Sequence, residues 1–131
     1  MCAQAGHVKC GTGAGEASIV TPELTCLSGT ARINVSFKAQ CMSDTDNPAM
    51  CVKILRNSTM DENHAVSTDP SDAIIGAQFV ASDIKADAYS FDIGGVQPGD
   101  RIAIGGDSTK ANSYAMRSFI DEIVITLVNY E

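Results

Sequence analysis

The residues best placed to do chemistry lie in the closing stretch, 117–128, where Arg117, Asp121 and Glu122 interrupt an apolar run that reads as a strand. Ionised carboxylates are rarely buried without a cation or hydrogen-bond donors, so Asp121 and Glu122 require water or a partner. Arg117, at the strand margin, is one candidate. Elsewhere the acids come in pairs on polar loop segments, Asp61 with Glu62 and Asp44 with Asp46. A carboxylate pair hydrolyses a glycosidic bond only when a cleft fixes its separation and one partner is held protonated, conditions that solvated loop acids do not meet. Both histidines, His7 and His64, fall in segments that read as loose, neither adjoins a nucleophile in a defined turn, and no Gly-x-Ser-x-Gly elbow occurs. No catalytic residue is therefore expected. The run Gly11-Thr12-Gly13-Ala14-Gly15 has the composition of a phosphate-cradling loop, but it lacks the strand before it and the helix after it that such a loop needs.

The cysteines are Cys2, Cys10, Cys26, Cys41 and Cys51, and their spacing with the two histidines does not read as a zinc site. Cys41 and Cys51 bracket a loop and would come within bonding distance if the flanking strands formed a hairpin. The alternative is that Cys26, Cys41 and Cys51 are small buried hydrophobes, as free cysteines commonly are. Cys2 stands where a bacterial lipoprotein carries its lipid, an attachment that only a leader sequence would establish.

With 131 residues the chain fits one domain that can bury a substantial core unaided. We read residues 1–15 as a flexible N-terminal lead and 16–131 as a single domain. The net charge of −7 and the scattering of nine basic residues argue against nucleic acid and against anionic membrane surfaces. No apolar run approaches the roughly 20 residues of a spanning helix, so no membrane insertion is expected.

Positioning falls to strands. Residues 31–41 alternate with period two, putting Ala31, Ile33, Val35, Phe37, Ala39 and Cys41 on one face and polar side chains on the other. One packed and one wet face is the mark of an antiparallel sheet. Residues 17–20, 23–27, 50–56, 74–80, 88–93, 100–104 and 118–128 also read as strands, separated by turn compositions such as Pro98-Gly99. The polar stretch 57–72 reads as an extended loop, mobile rather than functional, with a short edge strand near residues 64–66. No window longer than ten residues carries a helical apolar period, and residues 82–87 read as at most one helical turn. The expected fold is all-β, a two-sheet antiparallel β-sandwich.

The order of these features resembles the jelly-roll domains of carbohydrate-binding modules and the galactose-binding-like domains of surface proteins in gut Bacteroidetes. The resemblance rests on an apolar strand before Thr21-Pro22, the long strand through Ile33, Val35 and Phe37, Phe91 ahead of Pro98-Gly99-Asp100-Arg101, and the closing Arg117, Phe119 and Asp121. It implies a noncatalytic accessory module of an exported bacterial protein, extracellular or at the cell surface once its export signal is removed, with a glycan or neighbouring domains of a larger protein as partners. It also implies one structural calcium ion between Glu16 and Asp121, the acids that match the family's positions. Calcium takes six to eight oxygens, so backbone carbonyls or water would have to complete that set; otherwise Asp121 simply accepts hydrogen bonds or pairs with Arg117. For a sugar, Tyr114 is the best surface aromatic, with Asn112 and Lys110 beside it to bond hydroxyls. The alternative is a loop tyrosine packing over the end of the sandwich. The chain has no Trp, a departure from the aromatic platforms of such modules, and this favours the second class of function, a structural or protein-interaction domain without a small-molecule ligand.

Overall fold

The computed structural model describes residues 2–4, 7–10, 18–41, 48–81, 83–107, 109–110 and 117–131. In chain order the strands are β1 (Cys2–Gln4), β2 (His7–Cys10), β3 (Ser18–Val20), β4 (Ala31–Cys41), β5 (Ala49–Leu55), β6 (Thr59–Met60), β7 (Val66–Ser67), β8 (Ala73–Val80), β9 (Asp87–Val96), β10 (Arg101–Gly106) and β11 (Ser118–Tyr130). They form a five-stranded sheet, β1-β2-β11-β4-β9, a four-stranded sheet, β3-β10-β5-β8, and a small hairpin, β6-β7. Every pairing is antiparallel. From β3 to β11 the chain changes sheet at each main step except between β5 and β8, the wound topology of a jelly-roll sandwich. No helix among the described residues is long and apolar enough to cross a membrane.

The alternation along β4 works as expected: Ala31, Ile33, Val35, Phe37, Ala39 and Cys41 are all at most 3% exposed. Facing them from the other sheet are Met50, Val52 and Ile54 of β5 and Ile102 and Ile104 of β10. The aromatic residues cluster between the layers. Phe79 of β8 lies 4.6 Å from Tyr89, 5.4 Å from Phe37 and 5.5 Å from Phe91, ring centre to ring centre. Such tilted contacts are worth about 0.5–1.5 kcal/mol each beyond the area they bury. Tyr89 donates its hydroxyl to the Val80 carbonyl, and burial, helped by the charges of Asp87 and Asp83, pushes its phenol pKa up. Gly76 of β8 has no room for a side chain, since a Cβ there would stand 2.9 Å from the Ile93 side chain of β9.

Several expectations change. Residues 2–4 and 7–10, inside the stretch read as a flexible lead, are strands, and β2 pairs with Ser118, Phe119 and Ile120 of β11. Residues 23–27 are not a strand: β3 ends at Val20, and Pro22 has no N–H with which to extend the ladder. The segment bridges the end of the sandwich instead, with Leu24 bonded to Asp100 and Gly99 and with Leu27 buried. β4 and β5 lie in different sheets, so the hairpin that would bring Cys41 to Cys51 does not form. Cys41 and Cys51 are buried, whereas Cys26 is exposed. Phe119 is only half-buried, on the strand face opposite the buried Ser118 and Ile120.

Candidate functional site

A hollow of about 650 Å³ lies on the outer face of the four-stranded sheet, away from the core. Its floor is Lys53 and Leu55 of β5 with Ala73 and Ile75 of β8. These residues share a face because Lys53 pairs with Ile75 and Leu55 with Ala73, alternating with Ile54, which points inward. The wall comes from the chain between β5 and β8: Val66, Ser67, Thr68 and Pro70, with Thr109 on the opposite rim. Thr68 contributes a buried hydroxyl oxygen that has no hydrogen-bond partner among the described residues. Beyond Val66 a second hollow, about 430 Å³, is lined by Val20, Met60, His64 and Arg101.

The stretch 57–72, which forms this wall, is a built element rather than a loose loop. Its ends meet where the Arg56 amide donates to the Asp72 carbonyl (3.1 Å), and β6 and β7 pair within it. At its tip the Asp61 carboxylate accepts from the amides of Asn63 (2.8 Å) and Ala65 (2.9 Å), and His64 takes a left-handed backbone, φ 62°. On the return, Asp69 caps a short 3-10 turn, Pro70–Asp72, and the Ser71 amide and hydroxyl hold its carboxyl below the usual range. Composition alone signals a polar loop; local side-chain bonds to backbone make it an arm.

Two arginines fix the arm's root. Arg56 donates from Nε and Nη2 to the two oxygens of Asp100 (3.1 and 2.9 Å) and from Nη2 to the Gly95 carbonyl (2.9 Å). Asp100 is 2% exposed and also accepts from the Gln97 amide at 2.8 Å. The turn 97–100 delivers that carboxylate, with Gly99 at φ 88°, a conformation that a side chain disfavours. Arg101 points away from the core yet is buried, donating to the Ser58 hydroxyl (3.0 Å) and the Thr21 carbonyl (3.1 Å), with Glu23 at 3.5 Å.

The rim at Thr109 is held by a buried acid. Asp107, wholly buried, accepts from the Gln78 amide (2.8 Å) and from the Thr109 amide (3.0 Å) and hydroxyl. Burial acts to raise its pKa, but these bonds and the charge of Lys110 outweigh it and hold the carboxyl below its usual range.

Of the residues expected to contact a sugar, Lys110 is described. It is exposed and stands next to Thr109 on the rim, its amide donating to the Asp107 carbonyl. Asn112 and Tyr114 lie outside the described residues, as do Asp44, Asp46 and the glycine run 11–15. Asp121 is far from this site in the fold, on β11 of the five-stranded sheet. A bulge between Asp121 and Val124, with Glu122 at φ 52°, explains how two adjacent acids fit into an apolar strand. Asp121 accepts from the Glu122 amide at 2.8 Å and sits opposite Lys38, while the exposed Glu122 pairs with Lys38 Nζ at 3.3 Å. Glu16, its expected partner on calcium, lies outside the described residues. Of the expected calcium pair the structure describes Asp121, with the Glu122 carboxylate and the Lys38 amine nearby. Among the described residues no three His, Cys, Asp or Glu side chains come together. His7 lies on β2 and His64 at the arm's tip.

The cleft itself escapes a reading of the sequence because its floor comes from two strands separated by the arm. The one available signal is apolar residues in polar-face positions, Leu55 on β5 and Ile75 on β8, the latter 39% exposed.

No family model matches the chain, and no curated protein matches it in sequence. Solved structures do match in shape. The chain is similar to the CBM22-1 and GH10 modules of a Clostridium thermocellum endo-1,4-β-D-xylanase, solved with xylohexaose, at TM-score 0.54 and 12% identity over 82% of this chain and 19% of that one. It is similar to a family 29 carbohydrate-binding module from Piromyces equi at TM-score 0.54 and 12% identity, over 97% of this chain and 83% of the module. It is also similar to the CBM22-1 xylan-binding domain of Paenibacillus barcinonensis Xyn10C at TM-score 0.50 and 12% identity, over 99% and 100%. The expected likeness to carbohydrate-binding modules holds at the level of fold: this chain is a β-sandwich of the shape those modules share.

Proposed function

We propose that the chain is a noncatalytic glycan-binding module of an exported or cell-surface protein, with its binding site in the cleft between the four-stranded sheet and the 57–72 arm. The observation that carries this reading is the cleft's make-up. A pyranose ring presents an apolar face of C–H groups and a rim of hydroxyls. The aliphatic floor of Leu55 and Ile75 suits the first, and Lys53, Ser67, Thr68 and Thr109 suit the second. Its volume lies within the usual 300–1,000 Å³ of ligand sites. The fold shared with carbohydrate-binding modules supports the reading, although fold alone does not fix function.

A glycan array probed with the wild-type chain and with Ile75→Asp tests it. Ile75 is 39% exposed on an edge strand, so the substitution leaves the core alone. Losing its contact with a ligand, about 1.5 kcal/mol, weakens binding roughly tenfold. A second variant, Tyr114→Ala, reports whether that tyrosine takes part. A blank array with wild-type chain refutes the reading and favours the second one, a structural or protein-interaction domain. That alternative is supported by the aromatic inventory: Phe37, Phe79, Tyr89 and Phe91 pack together in the interior and Tyr130 accepts from the Ser28 amide, so no described aromatic residue lines the cleft.

A further inference from the structure

We infer that the cleft selects a sugar unit bearing a methyl group, either the C6 methyl of a 6-deoxyhexose or an O-acetyl ester; this rests on the glycan reading above. A pyranose face is flat and makes its fullest contact with a flat aromatic ring, but no described aromatic residue lines the cleft. Its apolar lining is branched or cyclic aliphatic instead, Leu55, Val66, Pro70 and Ile75, with one small residue, Ala73, among them. In the ladder Ala73 stands opposite Leu55, and Ile75 lies two positions on along the same face of β8. On the other side, Pro70 opens the short turn that leads into β8. Ala73 is therefore a dip beside larger aliphatic side chains, and none of Leu55, Pro70 and Ile75 carries a polar group.

A flat ring face laid over that floor leaves the dip unfilled, and a gap forfeits dispersion contact. A methyl group standing out from the ring fills it, and burying one such group is worth about a fourfold gain in affinity. A hydroxymethyl group in the same place brings its hydroxyl against aliphatic carbon, away from Ser67 and Thr109, which stand on the wall and the rim. Stripping that hydroxyl of water without a new partner adds to the cost, so methyl is preferred to hydroxymethyl by about tenfold. The backbone at Ala73 is extended, with φ −96° and ψ 118°, so valine is accepted there and fills the dip while leaving the strand in place.

The test titrates the isotope-labelled chain, followed by NMR, with methyl glycosides paired so that they differ at C6 alone: D-fucose with D-galactose, L-fucose with L-galactose, and L-rhamnose with L-mannose. Acetylated xylo-oligosaccharides beside their deacetylated forms make a further pair. The expected result is that at least one methyl-bearing member binds about tenfold more tightly than its partner. A preference within a C6 pair identifies the deoxy sugar, and one within the acetyl pair identifies the ester. Ala73→Val removes the preference, and Val124→Thr, on the outer face of the other sheet, leaves it unchanged. Thermal melts confirm that each variant is folded. Equal binding within every pair, tighter binding of the hydroxymethyl or deacetylated member, or a preference that survives Ala73→Val overturns the inference. If none of these sugars binds while the glycan array gives a hit that Ile75→Asp releases, the inference falls and the glycan reading stands. If the array is blank as well, both fall together.

Discussion

Substituting Asp100→Asn tests the root of the arm. The exchange keeps the shape of the side chain but removes the negative charge that Arg56 grips with two nitrogens at 3.1 and 2.9 Å. The pair is nearly withdrawn from water, the two side chains being 23% and 2% exposed. Breaking a buried pair by removing one partner costs about 3–5 kcal/mol, because the remaining charge stays without compensation. Arg56 keeps its bond to the Gly95 carbonyl and some access to solvent, so the low end, about 3 kcal/mol, applies. At an unfolding entropy of about 2.1 cal/mol/K per residue, the chain's 131 residues give roughly 0.28 kcal/mol/K, and the melting temperature should fall by ~11 °C. Thermal melts together with urea unfolding measure it. The exposed pair Lys38–Glu122, 45% and 61% accessible, is the control; its loss is worth under about 1 kcal/mol. A drop for Asp100→Asn no larger than that of Lys38→Gln would refute the claim that a buried ion pair holds the arm.

Asp107 makes stability depend on pH. Its folded pKa lies below the ordinary value, so its contribution is present above about pH 4 and disappears as pH falls through the folded pKa. The urea midpoint of the wild type should therefore decline through the acid range, and Asp107→Asn should be less stable at neutral pH with a flatter acid limb; parallel limbs in the two proteins would exclude the assignment. Gly99→Ala, at φ 88°, should cost about 1–2 kcal/mol by urea unfolding, since a side chain opposes the backbone that presents Asp100. A structural calcium ion held by Glu16 and Asp121 is a proposal with a direct check: millimolar calcium should raise the melting temperature, EDTA should reverse the rise, and Asp121→Asn should abolish it, whereas a melt indifferent to both reagents removes the ion.

What could be read in the sequence was whatever a single strand encodes by itself. The six alternating residues of β4 announce a buried face without reference to any other strand, and the bounds expected for that strand are those observed. The sandwich follows once several such strands appear without a helix. What could not be read depends on distant partners. The bulge at Glu122 sends two adjacent acids outward, and its register is visible only against Lys38 and Ser36. The strands β1 and β2 look like a loose lead because β1 pairs with β2 and β2 joins the sheet through β11, more than a hundred positions away. Arg56 and Asp100 both sit at strand margins, where each alone passes for a solvated charge; only the crossing from one sheet to the other at the turn 97–100 brings them together.

That pairing also bears on how the cleft could recognise a ligand. Most of the chain's aromatic rings stack with one another between the sheets, where they contribute to the core and are not offered to a sugar. Recognition must then come from aliphatic contacts and from well-placed hydrogen bonds, and such bonds discriminate only when their groups are held in place before binding. The structure provides that restraint at both walls. Arg56 and Arg101 tie the start of the arm to the turn 97–100 and to the segment after β3, while Asp107 ties Thr109 to Gln78 on β8. Loosening either anchor should weaken binding even though none of these charged groups touches the floor of the cleft. If Asp100→Asn lowers the melting temperature as expected yet leaves affinity for a bound glycan unchanged under conditions where the variant is fully folded, the arm does not position the site, and the binding surface must lie elsewhere on the sandwich.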